Sequence, residues 1–208
     1  MATGGEANAR LEAIVLAAGS GSRFGGGKLT HPWRGGALID GALGAAFAAP
    51  ARTVTVVTGA DPRVEAAACA FAERVGETAR LRFTHCDDHA EGMGATLRAG
   101  VASLPTDAAG AFVFLGDMPL IPPTIPPKLA AALANGAPAG APVFDGQRGH
   151  PVLFSAALFP QLRAARGDQG ARETLRALGP ALALVETDDP GILTDIDRPA
   201  DLDEARER

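Results

Sequence analysis

The sequence predicts an α/β domain with a Rossmann-like, doubly wound, mostly parallel sheet and a small antiparallel insertion. Three observations predict it. Short β-branched or apolar runs alternate with Ala- and Leu-rich stretches long enough to be helices, so successive strands need crossover connections. The first strand candidate runs directly into a glycine-rich loop, and open α/β sheets bind ligands at strand carboxyl ends. The chain has 208 residues, 47% of them apolar and 21% charged, which suits one such domain and would be cramped for two. We expect a single domain over residues 1–208, with residues 1–11 flexible.

The strand candidates are 13–17, 54–58, 81–84, 111–115, 142–144, 151–154 and 182–185, each a short apolar or β-branched run. Helices are expected around 36–48, 62–75, 94–103, 124–134, 156–165, 169–178 and 198–206. Asp61-Pro62 reads as an N-cap followed by proline in the first helical turn, and Asp197-Arg198-Pro199 opens the last helix in a related way. The runs near 142 and 151 are separated by Asp145-Gly146-Gln147-Arg148-Gly149, a hairpin-like spacing that predicts the antiparallel insertion.

A net charge of −5 argues against a protein built to hold nucleic acid or an anionic membrane. The 19 basic residues are almost all arginine; the lysines are Lys28 and Lys128. Two cysteines do not make a disulfide framework, the first ten residues lack the apolar core of a signal peptide, and no run is long enough to span a membrane. We therefore expect a cytoplasmic protein.

After the first strand comes Leu16-Ala17-Ala18-Gly19-Ser20-Gly21-Ser22-Arg23-Phe24-Gly25-Gly26-Gly27-Lys28. Glycines here let backbone N–H groups turn toward an anion without side-chain obstruction. Charge agrees: between residues 13 and 39 lie Arg23, Lys28 and Arg34 and no acid. The loop fits neither common phosphate template. The dinucleotide fingerprint would need glycine where Phe24 stands, and the Walker pattern would need glycine at Ser22 and a hydroxyl residue at Leu29.

The strand at 111–115 delivers Gly116-Asp117, and residues 186–197 carry Glu186, Asp188, Asp189, Asp195 and Asp197 without a base. Asp117 reads as a metal ligand or as a turn cap; the tail acids read as a solvated loop with Asp197 as a helix cap. His85, Cys86 and His89 are donors for a transition metal, but no second cluster completes a tetrahedral set. His150, in Gly149-His150-Pro151, is either a pocket residue or a capped loop histidine. Gly167-Asp168-Gln169-Gly170-Ala171-Arg172 is either a close-approach ligand segment or a helix start with an Asp168–Arg172 pair.

Residue by residue, 16–28 matches L-A-A-G-x-G-x-R-[FM]-G-x-x-K, and the chain from 12 to 205 resembles the molybdenum cofactor nucleotidyltransferase family with the MobA-like fold, of nucleotide-diphospho-sugar transferase type. The resemblance implies a nucleotide site of Leu16, Ala17, Ala18, Gly19, Ser20, Gly21, Thr58, Gly94, Thr96, Arg98 and Gly116, with Arg23 and Lys28 gripping the triphosphate and Asp117 catalytic beside them. Asp195-Ile196-Asp197-Arg198-Pro199 resembles the D-I-D-T-P motif, which pairs Asp197 with Asp117 around Mg²⁺. Glu91 to Gly100 resembles E-G-M-[GS]-x-[ST]-L-R-x-G near base and ribose, although Cys86-Asp87-Asp88-His89 departs from the family's Asn-Pro just upstream. Gly149 and His150 would line the acceptor pocket, and Asp168 and Arg172 match a segment of the cytidine-using branch.

The activity implied is transfer of CMP from CTP to the terminal phosphate of molybdopterin, releasing pyrophosphate, with a recipient molybdoenzyme or its chaperone as a further partner. CTP rather than GTP rests on Ala18, where the guanylyl branch has glycine. Transfer to a sugar or polyol phosphate, and a non-catalytic factor that holds and delivers the pterin, are the competing readings. An ionised attacking phosphate needs no general base, so the lack of a Ser/His/Asp set is expected.

Overall fold

The computed structural model describes residues 10–167 and 170–206, without the side chains of Glu204 and Arg206. Its strands are β1 (Leu11–Leu16), β2 (Pro32–Trp33), β3 (Gly36–Ala37), β4 (Val54–Thr58), β5 (Leu81–His85), β6 (Gly110–Leu115), β7 (Ala139–Phe144), β8 (Gln147–Arg148), β9 (Val152–Ser155) and β10 (Leu182–Glu186). Its helices are α1 (Ile39–Ala48), α2 (Arg63–Val75), α3 (Met93–Ala102), α4 (Ile125–Ala134), α5 (Phe159–Arg163), α6 (Arg172–Leu178) and α7 (Pro199–Arg206).

The main sheet runs β10-β7-β9-β6-β1-β4-β5, with β8 paired to β7. β6, β1, β4 and β5 are parallel neighbours, β9 runs antiparallel to both β6 and β7, and β10 is parallel to β7. The antiparallel insertion is therefore where the sequence predicts it, as a hairpin whose return strand is interrupted between β8 and β9. Asp145 and Gly146, both at positive φ, make the tight turn from β7 into β8. The chain then continues into β9 along the same edge of β7, opposite β10, with the Gly149 N–H donating to the Pro142 carbonyl at 2.9 Å between the two short ladders.

β1 shows why the sheet is covered on both faces. Leu11, Ala13 and Val15 enter a core with α1, α2 and α4, while Ile14 and Leu16 enter a second core with α3 and α5. Alternation of side chains along a strand sends successive residues to opposite layers, so a doubly covered strand is apolar throughout. The exception, Glu12, is fully buried but satisfied by Arg52 Nε at 2.7 Å and by the Thr53 N–H and hydroxyl at 3.1 and 2.7 Å. Leu11 is fully buried in β1, so the flexible stretch expected over 1–11 does not extend to it. Leu11 pairs with Gly110 in the β1–β6 ladder and packs into the core under α1, α2 and α4, and burying its side chain there favours an ordered position.

Two expected elements change. Residues 36–37 pair with 32–33 as a small hairpin before α1, and the helix expected at 169–178 begins at Arg172. The hairpin closes a third, smaller core in which Trp33 and Leu38 pack with Ile196, Leu202 and Ala205. This cluster ties the start of the chain to α7. Among the described residues no helix is long and apolar enough to cross a membrane.

Candidate active site

The glycine-rich loop leaves β1 and tightens into a single 3₁₀ turn at Ser22–Phe24. Gly21 sits at φ +61°, and a Cβ there would meet the Lys28 Cβ at 3.0 Å, so both conformation and space require glycine. The close approach folds the loop onto itself and sends Lys28 inward, 12% exposed, while Arg23 stays out in solvent.

Lys28 Nζ donates to Asp117 Oδ2 at 2.6 Å and to Asp197 Oδ1 at 3.3 Å, partners 89 and 169 residues away in sequence. Arg23 donates to the other Asp197 oxygen at 3.2 Å. Two local facts bring the tail in. The Ile196 N–H donates to the Asp117 carbonyl at 3.0 Å, stitching the tail to the loop after β6, and Ile196 is anchored in the Trp33 core. Asp197 is not the helix cap. Asp201 reaches back to the N–H groups of Asp197 and Arg198, which leaves the Asp197 carboxylate for the cations. Burial, helped by the charges of Asp117 and Asp197, pushes the nearby Asp195 carboxyl above its ordinary range.

Beside this cluster lies a cleft of about 530 Å³ lined by Leu16, Ala18, Gly19, Ser20, Thr96 and Asp117. His89, Ala90, Gly92 and Met93 complete its wall; His89 comes from the stretch that departs from the family pattern. Ala17 and Gly116 sit behind it, where the Gly116 N–H donates to the Leu16 carbonyl at 3.0 Å and joins β1 to β6.

Three expected nucleotide contacts lie elsewhere. Thr58 is 2% exposed and its hydroxyl donates to Glu65 at 3.1 Å, facing α2. Arg98 is a clamp: it donates to the Ala165 carbonyl and to Glu91, each at 2.7 Å. Gly94 is a packing residue, since a Cβ there would meet the Arg166 backbone at 2.7 Å. In each case the polar or small side chain answers a neighbouring element, which spacing along the chain does not report.

A second cleft of about 480 Å³ holds Gly149, His150, Arg172 and Asp195, and shares Leu115 with the first. Gly149 presses against the Ile192 carbonyl, and the His150 N–H donates to that carbonyl at 2.9 Å. The His150 Nδ1 is buried without a hydrogen-bond partner among the described residues. Burial lowers the His150 pKa, with the Val113 backbone and Asp117 acting the other way. Asp168 lies outside the described residues. A further cleft of about 740 Å³, beside Lys128, Glu186 and Asp188, contains none of the expected site residues. His85 reaches Thr58 and Asp87 rather than Cys86, and among the described residues no three His, Cys, Asp or Glu side chains gather to hold a metal.

Residues 13–182 match the MobA-like NTP transferase domain. The chain belongs to this family. The MobA-like chain is 29% identical over 198 residues to the molybdenum cofactor cytidylyltransferase of Escherichia coli, covering 95% of this chain and 96% of that one. It is 30% identical over 206 residues to the purine catabolism protein PucB of Bacillus subtilis, covering 94% and 96%. In fold it is similar to Rv0371c of Mycobacterium tuberculosis, with a TM-score of 0.79, 20% identity, and coverage of 97% and 100%; that protein has also been solved in complex with manganese. The protein is thus a nucleotidyltransferase of the MobA-like family.

Proposed function

We propose that this nucleotidyltransferase moves CMP from CTP to the terminal phosphate of molybdopterin. The observation that carries the reading is the convergence of Lys28, Asp117 and Asp197 beside the cleft over Leu16 to Ser20, which Asp117 lines. The likeness to the Escherichia coli cytidylyltransferase supports the choice of nucleotide and acceptor.

CTP would occupy the cleft over Leu16 to Ser20, its triphosphate turned to the glycine-rich loop, with the acceptor entering beside His150. An oxygen of the acceptor phosphate forms a bond to the α-phosphorus as the bridge to the β-phosphate breaks, and the electron pair leaves with pyrophosphate. No proton need move, so catalysis is positioning and charge stabilisation. Lys28 shifts from carboxylates to phosphate, and Arg23, exposed and forked, closes on the departing pyrophosphate.

The donor set fits a divalent cation. Two hard carboxylates converge, the remaining positions falling to phosphate oxygens and water, which is the usual habit of Mg²⁺. When bound, such an ion neutralises charge on the reacting phosphates. Asp117 and Asp197 would hold it once Lys28 has turned to the nucleotide.

The test is incorporation from labelled CTP, GTP, ATP and UTP with molybdopterin as acceptor and Mg²⁺ present. Preferential use of CTP is expected; equal use of all four, or preference for GTP, overturns the cytidylyl reading.

A further inference from the structure

Several arginines are committed to carboxylates: Arg52 to Glu12 and Asp107, Arg63 to Asp61, Arg74 to Asp40, Arg80 to Glu77, Arg98 to Glu91. Arg148, Arg172 and Arg176 have no carboxylate partner among the described residues, and all three line the cleft that holds His150. They arrive by independent routes. Arg148 comes from β8 on the insertion hairpin, whereas Arg172 and Arg176 stand one turn apart on the same side of α6. In a chain of net charge −5, three unpaired cations around one concavity mark a seat for negative charge.

These cations form two tiers. His150 and Arg172 also line a narrow apolar cavity of about 90 Å³ that runs inward along Leu16, Leu97 and Leu115 toward the nucleotide cleft; Arg148 and Arg176 do not. The His150 Nδ1, buried and unpartnered, sits at the inner tier. Val152 and Leu175 supply apolar wall to both spaces. Asp195 is the acid that lines the cleft among the described residues, against three arginines.

We propose that the acceptor is an elongated molecule with two separate anionic groups and an apolar or planar body. Its attacking phosphate is held at the inner tier by Arg172 and His150, and a second anionic group farther along the body is held at the mouth by Arg148 and Arg176. The inference rests on the nucleotidyl-transfer reading and adds a requirement to it: a phosphate monoester lacking the distal charge is a poor acceptor.

Equilibrium dialysis of the full chain against molybdopterin tests this, without needing turnover. Arg148→Gln and Arg176→Gln together are expected to weaken molybdopterin binding at least tenfold, while the KM for CTP stays within twofold. Arg148→Lys with Arg176→Lys restores most of the binding. Arg163→Gln, an exposed cation outside the cleft, changes nothing. Phenyl phosphate, with one anionic end, is the second probe: its weaker binding should be insensitive to the double substitution and lost in Arg172→Gln. Wild-type binding of molybdopterin by the double variant overturns the inference, as does an equal loss for both probes, which would mean a single diffuse anion site. A wild-type chain that binds molybdopterin yet transfers no nucleotide overturns the proposed reaction and leaves the two-tier cleft standing. If the wild type binds no molybdopterin, both fall.

Discussion

The Asp201 carboxylate accepts hydrogen bonds from the N–H groups of Asp197 and Arg198, at 2.8 and 2.7 Å, and so frees the Asp197 side chain to face Lys28 and Arg23. A helix start leaves several N–H groups without intrahelical partners, and an acid in the first turn also suits the positive end of the helix. Here one residue does the capping that another, better placed by its position in sequence, would do.

Asp201→Ala therefore has two expected effects. Loss of the cap lowers stability by about 1 kcal/mol, read as a drop in thermal midpoint. The second effect is on the site. With its N-terminus uncapped, the helix draws the Asp197 carboxylate back to its own N–H groups, and transfer slows although Asp201 touches no substrate. Asp201→Asn, which keeps an acceptor oxygen, should recover much of both. Unchanged turnover in Asp201→Ala would show that Asp197 is held by the cations alone.

Removing the ammonium separates its structural from its chemical role. Lys28→Ala leaves Asp117 and Asp197 facing each other without their shared cation, so the carboxylates repel, but both are partly exposed and the cost in stability is small. Transfer should fall by about 10²–10³, as for removal of one preorganised charge-stabilising donor. Lys28→Arg should rescue poorly, because a planar fork does not fit a 12%-exposed slot shaped around one nitrogen. Single-turnover rates at saturating CTP decide; full rescue by arginine contradicts the geometry.

The layered sheet, the glycine-rich loop and the strand-end position of Asp117 are legible in the sequence because each depends on local pattern: strand alternation, glycine density, an acid at a strand end; the approach of Asp197 to Asp117 is implied by the family resemblance, since local pattern reads Asp197 as a helix cap. Thr58 and Arg98 turn to neighbouring elements that the sequence does not announce, for the opposite reason. Whether a threonine faces a ligand or Glu65, and whether an arginine grips phosphate or the Ala165 carbonyl, is decided by which element packs beside it. Trp33 shows the same limit in reverse. As the chain's single tryptophan it carries a signal, yet its partners Ile196 and Leu202 lie at the other end of the chain, and only tertiary packing makes it the anchor of Asp197. Arg148 and Arg176 escape notice because an unpaired cation is defined by what is missing around it in space.

Acid should destabilise the protein through His150. Burial holds its folded pKa below the ordinary histidine value, so as pH falls below about 6.5 the unfolded chain takes up a proton that the folded chain refuses. Stability is then lost on acidification, by at most about 1.4 kcal/mol per pH unit for this one group. His150→Asn removes the titration. Thermal midpoints at pH 7.5, 6.5 and 5.5 should converge between wild type and variant as pH drops, with the wild type losing more. Parallel losses would mean that the imidazole is protonated as readily in the folded protein.

Gly94→Ala distinguishes packing from nucleotide contact at a position where sequence favours the latter. An added Cβ would meet three backbone atoms of Arg166 at 2.7–2.9 Å, and backbone cannot swing aside as a side chain can. Either α3 or the segment around Arg166 must move, an overpacking expected to cost about 1–3 kcal/mol. That segment is also held by Arg98 through the Ala165 carbonyl and leads directly into Arg172. Displacing it should therefore raise the acceptor KM more than the CTP KM, although Gly94 lies on the helix that borders the nucleotide cleft. A nucleotide-contact role predicts the reverse ratio, with stability little changed, so chemical denaturation and the two KM values measured on the same variant separate the two accounts.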